Sequence, residues 1–438
     1  MLLLNTLVVR RELIDRAYWE WIFAMNLFLS NEKEEIVKRK QARVFVMSLV
    51  VTILLGLMTS AFAGSEVRGV TDTTVKIGGP MLITGPIAKL GTAAADGLSI
   101  YWKWVNDQGG VHGRKVICLL EDDGYNPTRS VAAAKKLIDR DKIFAFLTTS
   151  GTPQTLQLIP ILDKEKIPAL SGIIPSFPGL MKEMPMLFTF GMPYGEQMIL
   201  AIDYAVKDLG MRKATIGIVY QDDAYGKENI RGVELVAREY GLKIVRKEAY
   251  KRGAVDFSSQ AMNLKRADPD LVIMATVTRE TTAFLKETDK LGWYPPCFST
   301  AAVCDEKIIE LLGSKARNLY TVNYIARFWE ESPGMNRLKK VFRKYRPDIK
   351  ELMHYHILGY VNSMIFHEAL KRAGRDLTRK GWVKAMESIK GFDTQGLAGV
   401  ISFGPKMHSP RCEGRIFKAD LARKLWVPVT DYRSPSVR

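Results

Sequence analysis

From Gly64 onward the chain alternates short apolar runs with longer amphipathic ones, and that alternation points to parallel sheets covered by helices on both faces. Residues 75–80, 116–121, 143–148, 214–220, 242–248, 271–276 and 319–323 read as strands. Between them, 91–108, 127–139, 225–240, 257–266 and 353–372 repeat apolar residues at helical spacing. The last of these carries Tyr355, Leu358, Val361, Asn362, Ile365 and Ala369 on one face, the pattern of a long buried helix. Residues 187–193 and 320–328 read as extended but interrupt the alternation. A chain that crosses between two sheets at each of these, and again near 399–403, makes two discontinuous lobes with a cleft between them.

At 438 residues the chain exceeds what one hydrophobic core usually fills, so two lobes are expected on size as well. Its 47% hydrophobic and 25% charged residues are those of an ordinary folded protein, which excludes a disordered or many-span membrane chain. Lys and Arg number 64 against 47 Asp and Glu, a formal charge of +17. Eight cationic and six anionic residues fall in 1–63, leaving 56 against 41 for the rest, so the basic character belongs to the body. These cations are scattered and accompany no nucleic-acid motif, so a solvated basic surface is expected rather than a nucleic-acid partner.

Residues 37–63 have the order of a secretory signal peptide: VKRKQAR, an apolar run of about fifteen residues, then Ala61-Phe62-Ala63 before Gly64. Cleavage is expected after Ala63, which places the mature chain in the periplasm. Residues 1–36 precede the signal by more than such a peptide needs, and are expected to be an extension of the gene model or disordered. Cys118, Cys297, Cys304 and Cys412 form no CxxC pair and have no histidines at metal spacing, so no metal is expected. Cys297 and Cys304 are close enough in sequence for a disulfide in an oxidising compartment.

Thr148-Thr149-Ser150-Gly151-Thr152-Pro153 follows an apolar strand and opens a helix. Backbone N–H groups and hydroxyls at a helix N-terminus can hold a carboxylate, and can equally serve as a structural cap. Gln221-Asp222-Asp223-Ala224-Tyr225-Gly226 is a second such junction, where the acids read as caps and Tyr225 as an aromatic free to cover a ligand. His354 and His356 are two residues apart and so point to different sides of a helix. HExxH, a strand-to-helix GxSxG and GxxxxGK[ST] are all missing, so neither an enzyme nor a cofactor is expected.

Several short stretches then occur in a telling order: Thr84-Gly85-Pro86 with Gly91; Asn106 through Gly109-Gly110-Val111-His112-Gly113-Arg114-Lys115; Asp122-Asp123 with Pro127; Tyr225-Gly226; Asp256-Phe257-Ser258; Pro269-Asp270; Leu291-Gly292; and Phe403-Gly404. In this the chain resembles, from about residue 73 to 406, the branched-chain amino acid (Leu/Ile/Val) binding proteins, type I periplasmic substrate-binding proteins of ABC transporters. The resemblance implies an α/β fold of two flavodoxin-like lobes, each a doubly wound parallel sheet, joined by three crossover strands. The lobes are expected at 71–191 plus 325–398 and at 192–324 plus 399–438. It also implies a small-molecule ligand, permease subunits as partners, contact with the membrane only through the permease, and a monomer. A ligand-sensing receptor that reports to a regulator is the alternative use of the same fold.

By motif position, the resemblance puts the ligand's carboxylate on Thr149, Ser150 and Gly151, with Ser171 and Ile173 at the next strand end. It lays Tyr225 over the ligand from the second lobe and places Val277 at a position that is often aromatic. Amino-acid binders carry an acid after the strand that here reads Pro296-Cys297-Phe298-Ser299-Thr300, and here Ala301 occupies that place. An ammonium left unpaired in a dry cleft costs several kcal/mol. The expected ligand is therefore a carboxylate with an uncharged or aromatic tail, or an amide, unless Asp305 or Glu280 supplies the missing acid.

Overall fold

The structure, a computed structural model, describes residues 18–22, 25, 45–48, 67–147, 151–171 and 185–437. The chain divides into two units, 1–66 and 67–438. In the first, 18–22, 25 and 45–48 are helical, so of the expected signal peptide all but 45–48 lies outside the described residues. Among the described residues no helix is long and apolar enough to cross a membrane.

In the second unit two sheets repeat one winding. The first holds β1 (Thr74–Met81), β2 (Lys115–Asp122), β3 (Ala145–Leu147), β4 (Ala169–Ser171) and β5 (Leu187–Thr189), all parallel, in the order β2-β1-β3-β4-β5. Its connections carry α1 (Ala88–Asp107), α2 (Pro127–Asp139) and α3 (Thr152–Glu165). The chain passes to the second region through 190–193 and α4 (Tyr194–Lys207). There β6 (Thr215–Gln221), α5 (Ala224–Tyr240), β7 (Lys243–Tyr250), α6 (Ser258–Ala267), β8 (Leu271–Ala275), α7 (Thr278–Lys290), β9 (Cys297–Ser299), α8 (Glu306–Leu312) and β10 (Leu319–Asn323) repeat the pattern as β7-β6-β8-β9-β10. Residues 324–332 return to the first sheet, where α9 (Pro333–Tyr345), α10 (His354–Ala373) and α11 (Arg379–Glu387) follow. The chain ends in antiparallel β11 (Arg415–Asp420) and β12 (Leu425–Pro428), which extend the second sheet beyond β10.

The sequence explains these elements locally. All five residues of β8, LVIMA, are buried, as a strand covered on both faces requires. Asn126 caps α2 by accepting from the N–H groups of Thr128 and Arg129, with Pro127 at the first helical position. Helices α1 and α10 cross at glycines: a Cβ on Gly97 would stand 2.1 Å from His356 O, and one on Gly359 would stand 2.3 Å from Ala94 O. That contact draws the C-terminal helices onto the first sheet.

Two expectations are corrected. The third passage comes later than residue 399, because Ile401 pairs with Phe392 and Thr189 N donates to His408 O at 2.9 Å. Strand β5 is the edge of the first sheet, and its free N–H holds the chain there until shortly before β11. Cys297 and Cys304 form no disulfide; all four cysteines are free. Cys297 opens β9, whereas Cys304 follows the turn beyond that strand's other end, with its sulfur 3.3 Å from Arg327 Nη1. Burial pushes both thiols up to about 12.

Candidate ligand-binding cleft

Parallel strands leave free backbone groups at their C-terminal ends, and ligands of doubly wound sheets bind there. In the second sheet three such ends are tied together by one side chain. Asp223 caps α5 by accepting from Tyr225 N and Gly226 N, which fixes Tyr225 in the first turn. The Tyr225 hydroxyl donates to Thr276 O at 3.0 Å, beyond β8, and lies 3.1 Å from Thr300 Oγ1, beyond β9. Val277 and Ala301 follow those threonines, so the structure brings Tyr225, Val277 and Ala301 together, at 3%, 5% and 4% exposure. Ala301 N donates to Gln197 Oε1 at 2.8 Å, and Gln197 Nε2 to Met192 O at 2.7 Å. Gln197 thereby links this cluster to the first passage between the sheets.

On the first sheet, Gly151 caps α3 with φ +83° and Ser171 ends β4, fully buried, its carbonyl accepting from Phe190 N. Thr149, Ser150 and Ile173 lie outside the described residues. Gln154 folds back over Gly151: a Cβ there would stand 2.2 Å from its Oε1. Neither polar atom of its amide has a partner among the described residues. Helices α3 and α5 touch, which brings a helix of the first sheet against one of the second.

Four residues missed at the sequence level complete that cleft. Tyr194 meets the Tyr225 ring edge-on with centroids 4.6 Å apart. Tyr125 follows β2, Tyr324 lies on the second passage and Tyr355 is in the first turn of α10. Burial first, then proximity to Tyr355, Tyr225, Tyr324 and Tyr125, holds the Tyr194 phenol well above its ordinary range. Burial also raises Tyr225, Tyr324 and Tyr355, and pushes Tyr125 up to about 12. All five stay neutral. Their signals, five separate tyrosines, converge only through the fold.

Two polar contacts span the cleft. Arg252, after β7, donates from Nη1 to Tyr125 O at 2.9 Å, lies over the Tyr125 ring at 4.1 Å and pairs with Asp223 at 2.6 Å. Lys89 on α1 pairs with Asp305 at 3.4 Å. Beside them opens a cavity of about 530 Å³, with Ile87, Lys89 and Leu90 on one wall and Thr278, Arg279 and Lys286 on the other. None of the expected site residues lines it; Val277 adjoins it through Thr278.

Of the acids weighed as substitutes at the Ala301 position, Asp305 is engaged elsewhere. Asp305 caps α8 through Lys307 N and pairs with Lys89. Glu280 is 1% exposed, and its Oε1 accepts from Arg279 Nη2 at 3.0 Å.

Two doubly wound sheets, one in each lobe, are the architecture that the sequence resemblance implied. The sequence model of the periplasmic binding protein family matches residues 74–424. The chain belongs to that family. Proteins it is similar to carry the names of Leu/Ile/Val-binding homologs and of ABC transporter substrate-binding proteins. It is 24% identical over 380 residues to Leu/Ile/Val-binding protein homolog 8 of Brucella melitensis, covering 82% of this chain and 91% of the relative. A fatty acid ABC transporter substrate-binding protein from Thermomonospora curvata superposes with a TM-score of 0.76 at 21% identity, over 85% of this chain and 95% of that one. A branched-chain amino acid ABC transporter protein from Thermus thermophilus with bound valine gives 0.75 at 24% identity, over 84% and 98%. These likenesses fix the fold of the binding protein.

Proposed function

We propose that the binding protein captures a small carboxylate- or amide-bearing molecule between its lobes and delivers it to an ABC importer. The N-terminal address, cleaved after Ala63, would export it to the periplasm, where the permease subunits are its partners. Two solved neighbours support a small ligand: one is titled with bound valine and the other as a fatty acid ABC transporter substrate-binding protein.

The observation that carries the ligand class is at Ala301. Its side chain offers no charge, its N–H is already taken by Gln197, and Asp305 is committed to a helix cap and to Lys89. An α-ammonium placed there would be buried unpaired, which costs several kcal/mol. A carboxylate, by contrast, would find donors in the tyrosine hydroxyls and a countercharge in the cations Lys89, Arg279 and Lys286 along the cavity wall. Ligand contacts made by both lobes favour the closed arrangement, so binding free energy shifts an open–closed equilibrium toward the form a permease recognises.

Thermal unfolding of the purified protein with a panel that pairs α-amino acids with desamino, aromatic and amide analogues tests this reading. A ligand at about a hundred times its dissociation constant adds about 2.7 kcal/mol, so a shift of a few degrees is expected with the desamino acids or amides. Stabilisation by leucine or valine with no response to their desamino analogues would overturn it.

A further inference from the structure

The cavity beside the Lys89–Asp305 pair, about 530 Å³, has room for a small ligand and takes its walls from both lobes. One face of α7 forms much of the second-lobe wall. Thr282, Ala283 and Lys286 follow Arg279 by three, four and seven residues, so they share a side of the helix, whereas Phe284 and Leu285 pack into the core. The first lobe contributes Ile87 and Leu90 at the start of α1.

The charge and exposure of these walls describe an occupant. Four cations and two acids line the cavity, and three of the cations are already engaged. Lys89 pairs with Asp305 at 3.4 Å, Lys290 with Glu287 at 2.7 Å and Arg279 with Glu280 at 3.0 Å. Lys286 alone of the four pairs with no acid among the described residues. Helix α1 begins on the opposite wall with Ile87 as its N-cap, no side-chain cap and no acid in its first turn, so its positive end is uncompensated as well. Both features favour an anion and oppose an ammonium. Val255 and Leu311 line the same space, and they are 76% and 58% exposed. An occupant that covers them removes apolar surface from water, provided that its own body is apolar.

Resting on the carboxylate reading above, we propose that this cavity takes an amphipathic monocarboxylate. Lys286 is its counter-ion, and its hydrocarbon or aromatic body lies between Ile87 and Leu90 of one lobe and Val255 and Leu311 of the other. Lys286 then sets specificity for an acid over its amide, and the apolar side chains set it for a long body over a short one. Because the body touches both lobes, the same contacts favour the closed form.

The test is calorimetric titration of the purified protein with 4-phenylbutanoate, its amide 4-phenylbutanamide, and butanoate. The wild type should bind 4-phenylbutanoate about tenfold tighter than either of the others. Lys286→Gln should weaken 4-phenylbutanoate about five- to tenfold and move the amide less than about twofold. Lys290→Gln, which removes an equal charge already paired with Glu287, should cost less than about twofold. Leu311→Ser should weaken 4-phenylbutanoate about threefold and leave butanoate unchanged. All three side chains are exposed, so the variants should melt with the wild type. An acid that binds the wild type tightly and is indifferent to Lys286→Gln would overturn this site and leave the carboxylate reading standing. Equal losses in Lys286→Gln and Lys290→Gln would reduce the pairing to a general field and overturn it too. Indifference to Leu311→Ser would overturn the placement of the body. If the amide binds as tightly as the acid, or neither binds, the carboxylate reading fails together with the site.

Discussion

Tyr225 shows how one side chain organises the site. Its hydroxyl ties the segment after β8 to the segment after β9, so Tyr225→Phe leaves Thr276 O and Thr300 Oγ1 short of a partner. Urea unfolding should show a loss of about 1–2 kcal/mol. Three histidines make a second prediction. Burial first, then Arg327, holds His354 well below its ordinary range. Burial also lowers His356 to about 4, helped by Arg346 and Lys89. His367 falls to about 4 through burial and then Lys371, and its Nδ1 lies 2.8 Å from the Tyr101 hydroxyl. In the unfolded chain each titrates near 6.5. Stability from these groups is therefore complete above about pH 6.5 and is lost as pH falls toward about 4, by up to about 1.4 kcal/mol each per pH unit. Urea unfolding at pH 7.5 and 5.5 should differ accordingly, and His367→Asn should reduce the difference by about a third. Identical stability at the two pH values would contradict the buried neutral histidines.

At the level of elements, what was legible depended on length and period. Strands of five to eight residues with continuous apolar runs, such as β1, β6 and β8, stood out in the sequence, as did α2 with its Asn126-Pro127 start. Helix α4 did not, because 13 of its 14 residues are buried and no polar face marks its period. The antiparallel pair β11 and β12 escaped because a run of alternating strands and helices gives no signal for a closing hairpin. In the candidate site, Tyr225 was readable from its strand-to-helix junction and Ala301 only through the family resemblance, whereas Tyr125, Tyr194, Tyr324 and Tyr355 come from four separate segments that only tertiary folding gathers. The crossing of α1 and α10 carries a prediction of its own. Gly97→Ala presses a methyl against the His356 carbonyl, which belongs to the backbone of a packed helix and cannot turn aside. A loss of about 2–3 kcal/mol is expected in urea unfolding. Gly399→Ala, where a Cβ would meet nothing within 4 Å, should stay within about 0.5 kcal/mol.

At the scale of the whole molecule, Arg252 reaches from the second sheet to the first through its bond to Tyr125 O and its place over that ring, steadied by Asp223 of its own lobe. Its bonds are charge-assisted and half-shielded, worth about 1.5–3 kcal/mol, whereas the more exposed Lys89–Asp305 pair contributes about 0.2–1 kcal/mol. Arg252→Ala should shift the lobes toward an open form by at least about tenfold, read as a larger radius of gyration in small-angle X-ray scattering without ligand. Lys89→Ala should change the scattering little. The central claim concerns what the lobes close upon: a carboxylate without an α-ammonium, because Ala301 stands where a counter-charge would be needed. Calorimetric dissociation constants for leucine and for 4-methylpentanoate, the same skeleton without its amine, test this most directly. The desamino acid should bind at least tenfold tighter, and leucine binding the tighter of the two would contradict the account.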